Sequence, residues 1–193
     1  MPDNEGMTWT EDLSGRLLVA SPDISEGIFR RSVILVLHHD EDGAQGLILN
    51  RPLEAEIDAV LPGWGSIASQ PPQVFHGGPV GLDCALGIVA LGGGPVSTEG
   101  LRRLFGGLGL VDLDSEPAHI GPAVGGMRVF AGYAGWVAGQ LESEIASGSW
   151  YVVDCEPGDA FVREAGVLWR TVLRRQTNSL ALVATYPADP SLN

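Results

Sequence analysis

VILVLHHDEDGAQGLILNRP, the stretch from Val33 to Pro52, decides how this chain folds. Two apolar runs flank a polar turn, and Asn50-Arg51-Pro52 closes the second run. Short, β-branched and leucine-rich runs without alternation read as strands covered on both faces, and so as the middle of a sheet. Asp42-Gly43 suits a tight hairpin, because glycine accepts backbone angles that other residues resist. Strands are therefore expected over residues 31–38 and 46–50, joined through that dipeptide.

Working outward, GRLLVA (15–20) is a short strand before the hairpin, and residues 54–61 form a short helix after it. The Gly, Ser and Pro-rich loop over 62–72 connects elements of one unit. Further strands are expected over 74–76, 83–91, 127–133 and 150–155, with a short edge strand over 117–120. Helices are expected from Ser97 or Thr98 to Phe105, over 137–147 with Gly148 just past the end, and over 159–175, the longest. The stretch 179–186 is helix or strand. Adjacent hairpin-like strands mixed with helices, without a regular strand–helix alternation, indicate an α+β fold with a mixed, substantially antiparallel sheet. A chain of 193 residues is expected to make one domain over 13–187, with an acidic tail at 1–12 and a second tail at 188–193.

The charge is lopsided, with 24 acidic and 11 basic residues and a net charge of -13. Every basic residue is arginine. Phosphate-backbone binding needs a basic surface, so the balance argues against direct nucleic-acid contact. Arg102-Arg103 and Arg170 with Arg174-Arg175 read as solvated helix faces, and Arg30-Arg31 flanks a strand. No apolar run approaches the roughly 20 residues of a bilayer-spanning helix, and the polar N-terminus lacks secretion-signal features. A cytoplasmic protein with no membrane role is expected. Cys84 and Cys155 sit in apolar runs and read as buried free thiols.

Candidate chemistry comes from five places. His38-His39-Asp40-Glu41-Asp42 holds metal-ligand types, but neighbours on a strand face opposite ways, so a wet acidic turn is the better reading and no metal is assigned. LGGGPVSTEGLRRL (91–104) runs glycines towards an expected helix start but lacks the phosphate-loop lysine and spacing. His76-Gly77-Gly78-Pro79 has the look of an oxyanion turn, yet no GxSxG nucleophile accompanies it; close backbone packing is the alternative. Asn50-Arg51 can clamp a carboxylate or phosphate, or pair with Glu54 or a helix end. GYAGWVAGQLESEIASGSW (132–150) places Gln140 and Glu144 one helical turn apart, with Trp136 able to act as a lid.

Phe29-Arg30-Arg31-Ser32-Val33, the run from Gly43 to Pro52, Gly77-Gly78-Pro79-Val80, and Gly132-Tyr133-Ala134-Gly135-Trp136 leading into Gly139 to Glu144 together resemble the AlgH/YqgE family of uncharacterised bacterial proteins. The resemblance spans residues 15 to about 175. It implies an α+β fold whose largely antiparallel, bent sheet curls into a pseudo-barrel with flanking helices. It implies no established activity or cofactor. One branch of the family carries a transcriptional-regulator label tied to alginate synthesis. The ending ATYPADPSLN departs from the Gly-His-Ala ending of other members, so a ligand role for that tail does not carry over.

The resulting expectation is a non-enzymatic regulatory or binding protein with no cofactor and a small-molecule or protein partner. Its surface is a cleft of Asn50, Arg51, His76, Gly77, Gly78, Tyr133, Trp136, Gln140 and Glu144. One alternative is an enzyme using His76 with Glu142 or Glu144; another is direct nucleic-acid binding.

Overall fold

The computed structural model describes residues 11–187; the expected tails fall largely outside them, at 1–10 and 188–193. Ten strands follow in order: β1 (Arg16–Ala20), β2 (Val33–Asp40), β3 (Gly43–Ile48), β4 (Pro52–Glu56), β5 (Gln73–His76), β6 (Val80–Leu91), β7 (Leu101–Phe105), β8 (Leu108–Val111), β9 (Val124–Val137) and β10 (Trp150–Asp154). Five short helices accompany them: α1 (Ile57–Val60), α2 (Pro117–Ile120), α3 (Gln140–Ala146), α4 (Leu168–Arg174) and α5 (Leu180–Val183). The strands form one curled, half-barrel sheet in the order β10-β1-β2-β3-β9-β6-β8-β7, with β4 on β5 and β5 on β9. Every pairing is antiparallel except β5 with β9. No helix among the described residues is long and apolar enough to cross a membrane.

The opening hairpin has the expected two-sided burial. Val33, Leu35, Leu47 and Leu49 join Leu17, Val19, Phe75, Phe130 and Trp169 in one core. Their neighbours Ile34, Val36 and Ile48 join Leu18, Trp136, Leu141 and Trp150 in a second core under α3. A third core, with Ile57, Trp64, Val74, Val89, Ile120 and Met127, lies beneath α1 and α2. The turn itself shifts: Asp40 pairs with Gly43, leaving Glu41-Asp42 as the loop. The Asp40 carboxylate accepts from the Asp42 N–H and stiffens it.

Several expected elements change. The helix expected to end at Phe105 is instead strand β7, turning through Gly106-Gly107 onto β8 with Phe105 opposite Leu108. Two glycines between apolar runs are a hairpin signal, and sheet pairing overrides the local helix preference. Residues 117–120 form α2 rather than an edge strand, with Pro117 in its first turn, where a missing N–H costs nothing. Residues 52–56 are an edge strand, so the helix that follows is cut to Ile57–Val60. The long helix expected at 159–175 splits into 3-10 turns at Pro157–Phe161 and Ala165–Val167 followed by α4. Val162 interrupts it in an extended conformation, and the buried Arg128 side chain holds its carbonyl at 2.9 Å.

Both cysteines are free, but the expected burial fails at Cys84, which is exposed. Val80 pairs with Tyr133 and Ala85 with Ala131, so Gly81 to Cys84 stand opposite Gly132 alone and bulge outward. Cys155 is half-buried, and burial pushes its thiol up to about 12, so it stays protonated and inert at neutral pH.

Candidate functional site

The nine singled-out residues divide among three places. The first is the end of β3. Asn50 is buried there, its Oδ1 accepting from the Val33 N–H at 3.0 Å and its Nδ2 donating to the Arg31 carbonyl at 2.9 Å. Arg31 has φ of 54°, unusual for a residue with a side chain, and the Asn50 amide fixes that turn. Arg51 donates from Nε to the Ile28 carbonyl at 3.2 Å, from Nη1 to the Asn50 carbonyl at 2.9 Å, and from Nη2 to the Arg30 carbonyl. It therefore meets backbone carbonyls rather than Glu54.

The second place is the crossing at the end of β5. The Gly77 N–H donates to the Ala131 carbonyl and its own carbonyl accepts from Ile48, each at 2.8 Å, so the chain threads between β9 and β3. A Cβ on Gly77 would collide with the Gly132 carbonyl and Leu47, and one on Gly78 with the Tyr133 backbone. His76 donates its backbone N–H to the Arg51 carbonyl at 2.7 Å; its Nδ1 is buried with no partner among the described residues.

The third place is the join of β9 and α3. Oε2 of Glu144 accepts from the indole N–H of Trp136 at 2.9 Å and of Trp150 at 2.8 Å, while Oε1 accepts from Gln140 at 2.9 Å. The two indoles meet edge to face at 6.2 Å. Trp136 is 7% exposed, so it is a pinned core residue rather than a lid. Together with Tyr133, it also borders a groove of about 470 Å³ that includes His38, Gln45 and Val80.

Titratable groups elsewhere are equally committed. His38 is exposed, 2.7 Å from Asp40, and His39 is buried, 2.9 Å from Glu142, so strand alternation separates the two rings as expected. The Leu13 N–H donates to Nδ1 of His39, which leaves Nε2–H to donate to Glu142. Burial pushes the Glu142 carboxyl up, but its own N–H and the His39 ring outweigh this and leave it below the usual range. His76 thus has neither Glu142 nor Glu144 as its hydrogen-bonded partner. Among the described residues, no three His, Cys, Asp or Glu side chains gather closely enough to hold a metal ion. The glycine loop at 92–94 turns its Gly92 and Gly94 carbonyls onto Arg103 at 2.7 and 2.8 Å, and a strand rather than a helix follows it.

One concavity gathers side chains that the sequence leaves scattered. Gly27, Arg30, Arg31, Asn50, Arg51, Gly166, Trp169 and Arg170 line a hollow of about 280 Å³. The Arg31 guanidinium lies 4.5 Å over the Trp169 ring, whose N–H is fixed to the Ala20 carbonyl at 2.8 Å. Burial first, then the charges of Arg170 and Arg30, hold Arg31 below its ordinary value; burial and Arg30 do the same to Arg51. Arg30-Arg31 and Arg170 were readable as arginine clusters, but nothing local brings residue 170 to residue 31.

The match to the AlgH-like family model covers residues 17–181. The chain belongs to the AlgH-like family. A UPF0301 protein of Streptomyces avermitilis is 52% identical over 97% of this chain and 99% of its own length. A UPF0301 protein of Mycobacterium leprae is 46% identical over 93% and 90%. The crystal structure of protein DIP2367 from Corynebacterium diphtheriae superposes on this AlgH-like chain with a TM-score of 0.83 at 34% identity, covering 89% of this chain and 91% of that one. The solution structure of the AlgH protein from Pseudomonas aeruginosa gives 0.67 at 25% identity over 94% and 98%. The family is one of uncharacterised function.

Proposed function

We propose that this AlgH-like protein is a cytoplasmic, non-catalytic binding protein with a regulatory role, and that its ligand surface is the hollow beside Asn50 and Arg51. The observation that carries this reading is the convergence of four arginines and a fixed tryptophan on one hollow in a chain of net charge -13. A non-catalytic role is supported by the commitment of Glu142 to His39 and of Glu144 to two indoles. This leaves His76, whose Nδ1 is buried without a partner among the described residues, with no carboxylate to work with. A general base needs an open lone pair facing its substrate; Nδ1 of His39 faces Leu13, and the Glu144 carboxylate faces two indoles and an amide. Gly77, Gly78, Trp136, Gln140 and Glu144 then hold the frame that positions the hollow. Tyr133 and His76 stand outside the hollow's lining, and no ligand contact is proposed for them. The charge balance favours a small molecule or a protein as partner over nucleic acid.

The test is a thermal-shift screen of the full chain against a metabolite panel, repeated on Gly166→Leu. Gly166 lines the hollow and a Cβ there meets nothing within 4 Å, so leucine adds bulk at the hollow without straining the frame. A ligand that raises Tm in the parent and not in the variant supports the reading. A flat response throughout removes the small-molecule reading and leaves a protein partner.

A further inference from the structure

Arginine in this chain meets two kinds of acceptor. Arg175 takes Asp159 bidentately, both contacts at 2.7 Å, and Arg16 lies beside Asp154 at 3.4 Å. The hollow differs. Arg51 donates to the Ile28, Asn50 and Arg30 carbonyls, Arg31 to the Tyr186 and Pro187 carbonyls, and Arg170 to the Ala184 carbonyl. Neutral carbonyls fix the direction of these guanidinium groups without cancelling their charge. Each guanidinium has five N–H donors, so Arg31, Arg51 and Arg170 keep some beyond these bonds. The groups are also immobilised: Arg51 at three points, Arg31 by stacking on Trp169, and Arg31 and Arg170 by the segment after α5. Like charges held together, partly buried and pre-oriented form an unfavourable arrangement that an anion would relieve.

Resting on the reading of this hollow as the ligand site, we propose that it binds a compact phosphoryl polyanion, of about the size of a pyrophosphate group, carried on a small soluble molecule. The guanidinium groups of Arg31, Arg51 and Arg170, held by carbonyls, call for more than one negative charge, and a phosphoryl group carries roughly 1.5 to 2 near neutral pH. Rigid guanidinium forks match phosphoryl oxygens two at a time. The volume, about 280 Å³, admits a group of that kind. The net charge of -13 repels an extended polyanion, while a short anion inside the hollow feels mainly the local arginines, because screening confines the rest to roughly 8 Å.

Isothermal titration of the full chain with inorganic pyrophosphate, orthophosphate and citrate tests this, using the parent, Arg30→Gln, Arg170→Gln and Gly166→Leu. Arg51 is left alone because it braces residues 28–30. Pyrophosphate is expected to bind more tightly than orthophosphate or citrate, to weaken about tenfold in each arginine variant, and to lose binding in Gly166→Leu. An unligated Tm close to the parent's shows that the variants are folded. The inference is overturned if pyrophosphate gives no binding, if citrate binds better, or if Arg30→Gln and Arg170→Gln titrate like the parent. A neutral panel ligand lost only in Gly166→Leu overturns it while the ligand-site reading stands. Pyrophosphate binding that survives Gly166→Leu overturns both.

Discussion

Glu144 shows how one residue organises a motif. Trp136 and Trp150 are 7% and 4% exposed, and both indole N–H groups end on the same carboxylate oxygen. Buried donors without partners cost more than the net worth of the bonds they lose, particularly where the acceptor is charged. Glu144→Ala is therefore expected to destabilise the protein by about 3 kcal/mol, and Glu144→Gln, which keeps an acceptor oxygen, by less. Urea unfolding measures both; a Glu144→Ala midpoint equal to the parent's would show that water replaces the carboxylate. The spacing of Gln140 and Glu144 is visible in the sequence, but their convergence with Trp150 is not, because it needs β10 beside α3. Glu142 gives a pH signature. Its folded carboxyl lies below the ordinary value of 4.5, so its contribution is fully present above that value and is lost as the pH falls through the lowered one. Glu142→Gln should be less stable than the parent at neutral pH, and the two stability curves should converge below the ordinary value. Parallel curves would remove the His39–Glu142 pair from the acid limb.

At the scale of elements, local signals and pairing compete. The β2–β3 hairpin is legible because its apolar runs and polar turn agree with the sheet that surrounds them. The β7–β8 hairpin is harder: LRRLF has helix-forming composition, and only Gly106-Gly107 marks the turn. The helix expected over 159–175 is broken by a distant side chain, since Arg128 on β9 bridges the Val162 and Gln70 carbonyls, each at 2.9 Å, and lies 4.1 Å over the Phe75 ring. Burial pulls this arginine down to about 10. Removing it would leave two carbonyls unanswered and a void against Phe75, so Arg128→Ala is expected to cost about 3 to 5 kcal/mol. A loss under about 1 kcal/mol, the size of an exposed pair, would mean that the two loops hold themselves. Gly78→Ala tests the crossing of β5 by β9. A methyl group there overlaps the Tyr133 and Ala134 backbone, which cannot move without breaking the pairing of β9 with β3 and β6. Loss of soluble, folded protein is expected, and a variant of parental stability would show that the crossing is looser than the packing suggests.

Across the whole molecule, β9 is the shared wall. Its 14 residues pair with β6 along one side and with β5 and then β3 along the other. Phe130 belongs to the first core, Ala134 and Trp136 to the second, and Met127 and Val129 to the third. The sequence marks residues 127–133 as a strand but not this role, because pairings such as Arg16 with Asp154 join distant parts of the chain and leave no periodic trace. The arginine hollow was hidden for the same reason: its two halves are a loop near residue 30 and a helix near residue 170. If β9 couples the cores, none can melt while the others persist. Trp169, Trp150 and Trp64 report on the first, second and third cores respectively. Their indole signals followed by nuclear magnetic resonance through a urea series should vanish with one midpoint, shared with the far-ultraviolet circular dichroism. Trp64 offers the most exacting comparison, since the third core lies under α1 and α2, each only four residues long, and such short helices contribute little stability of their own. An earlier midpoint for Trp64 would assign the third core to a separately opening unit and confine the shared wall to the first two.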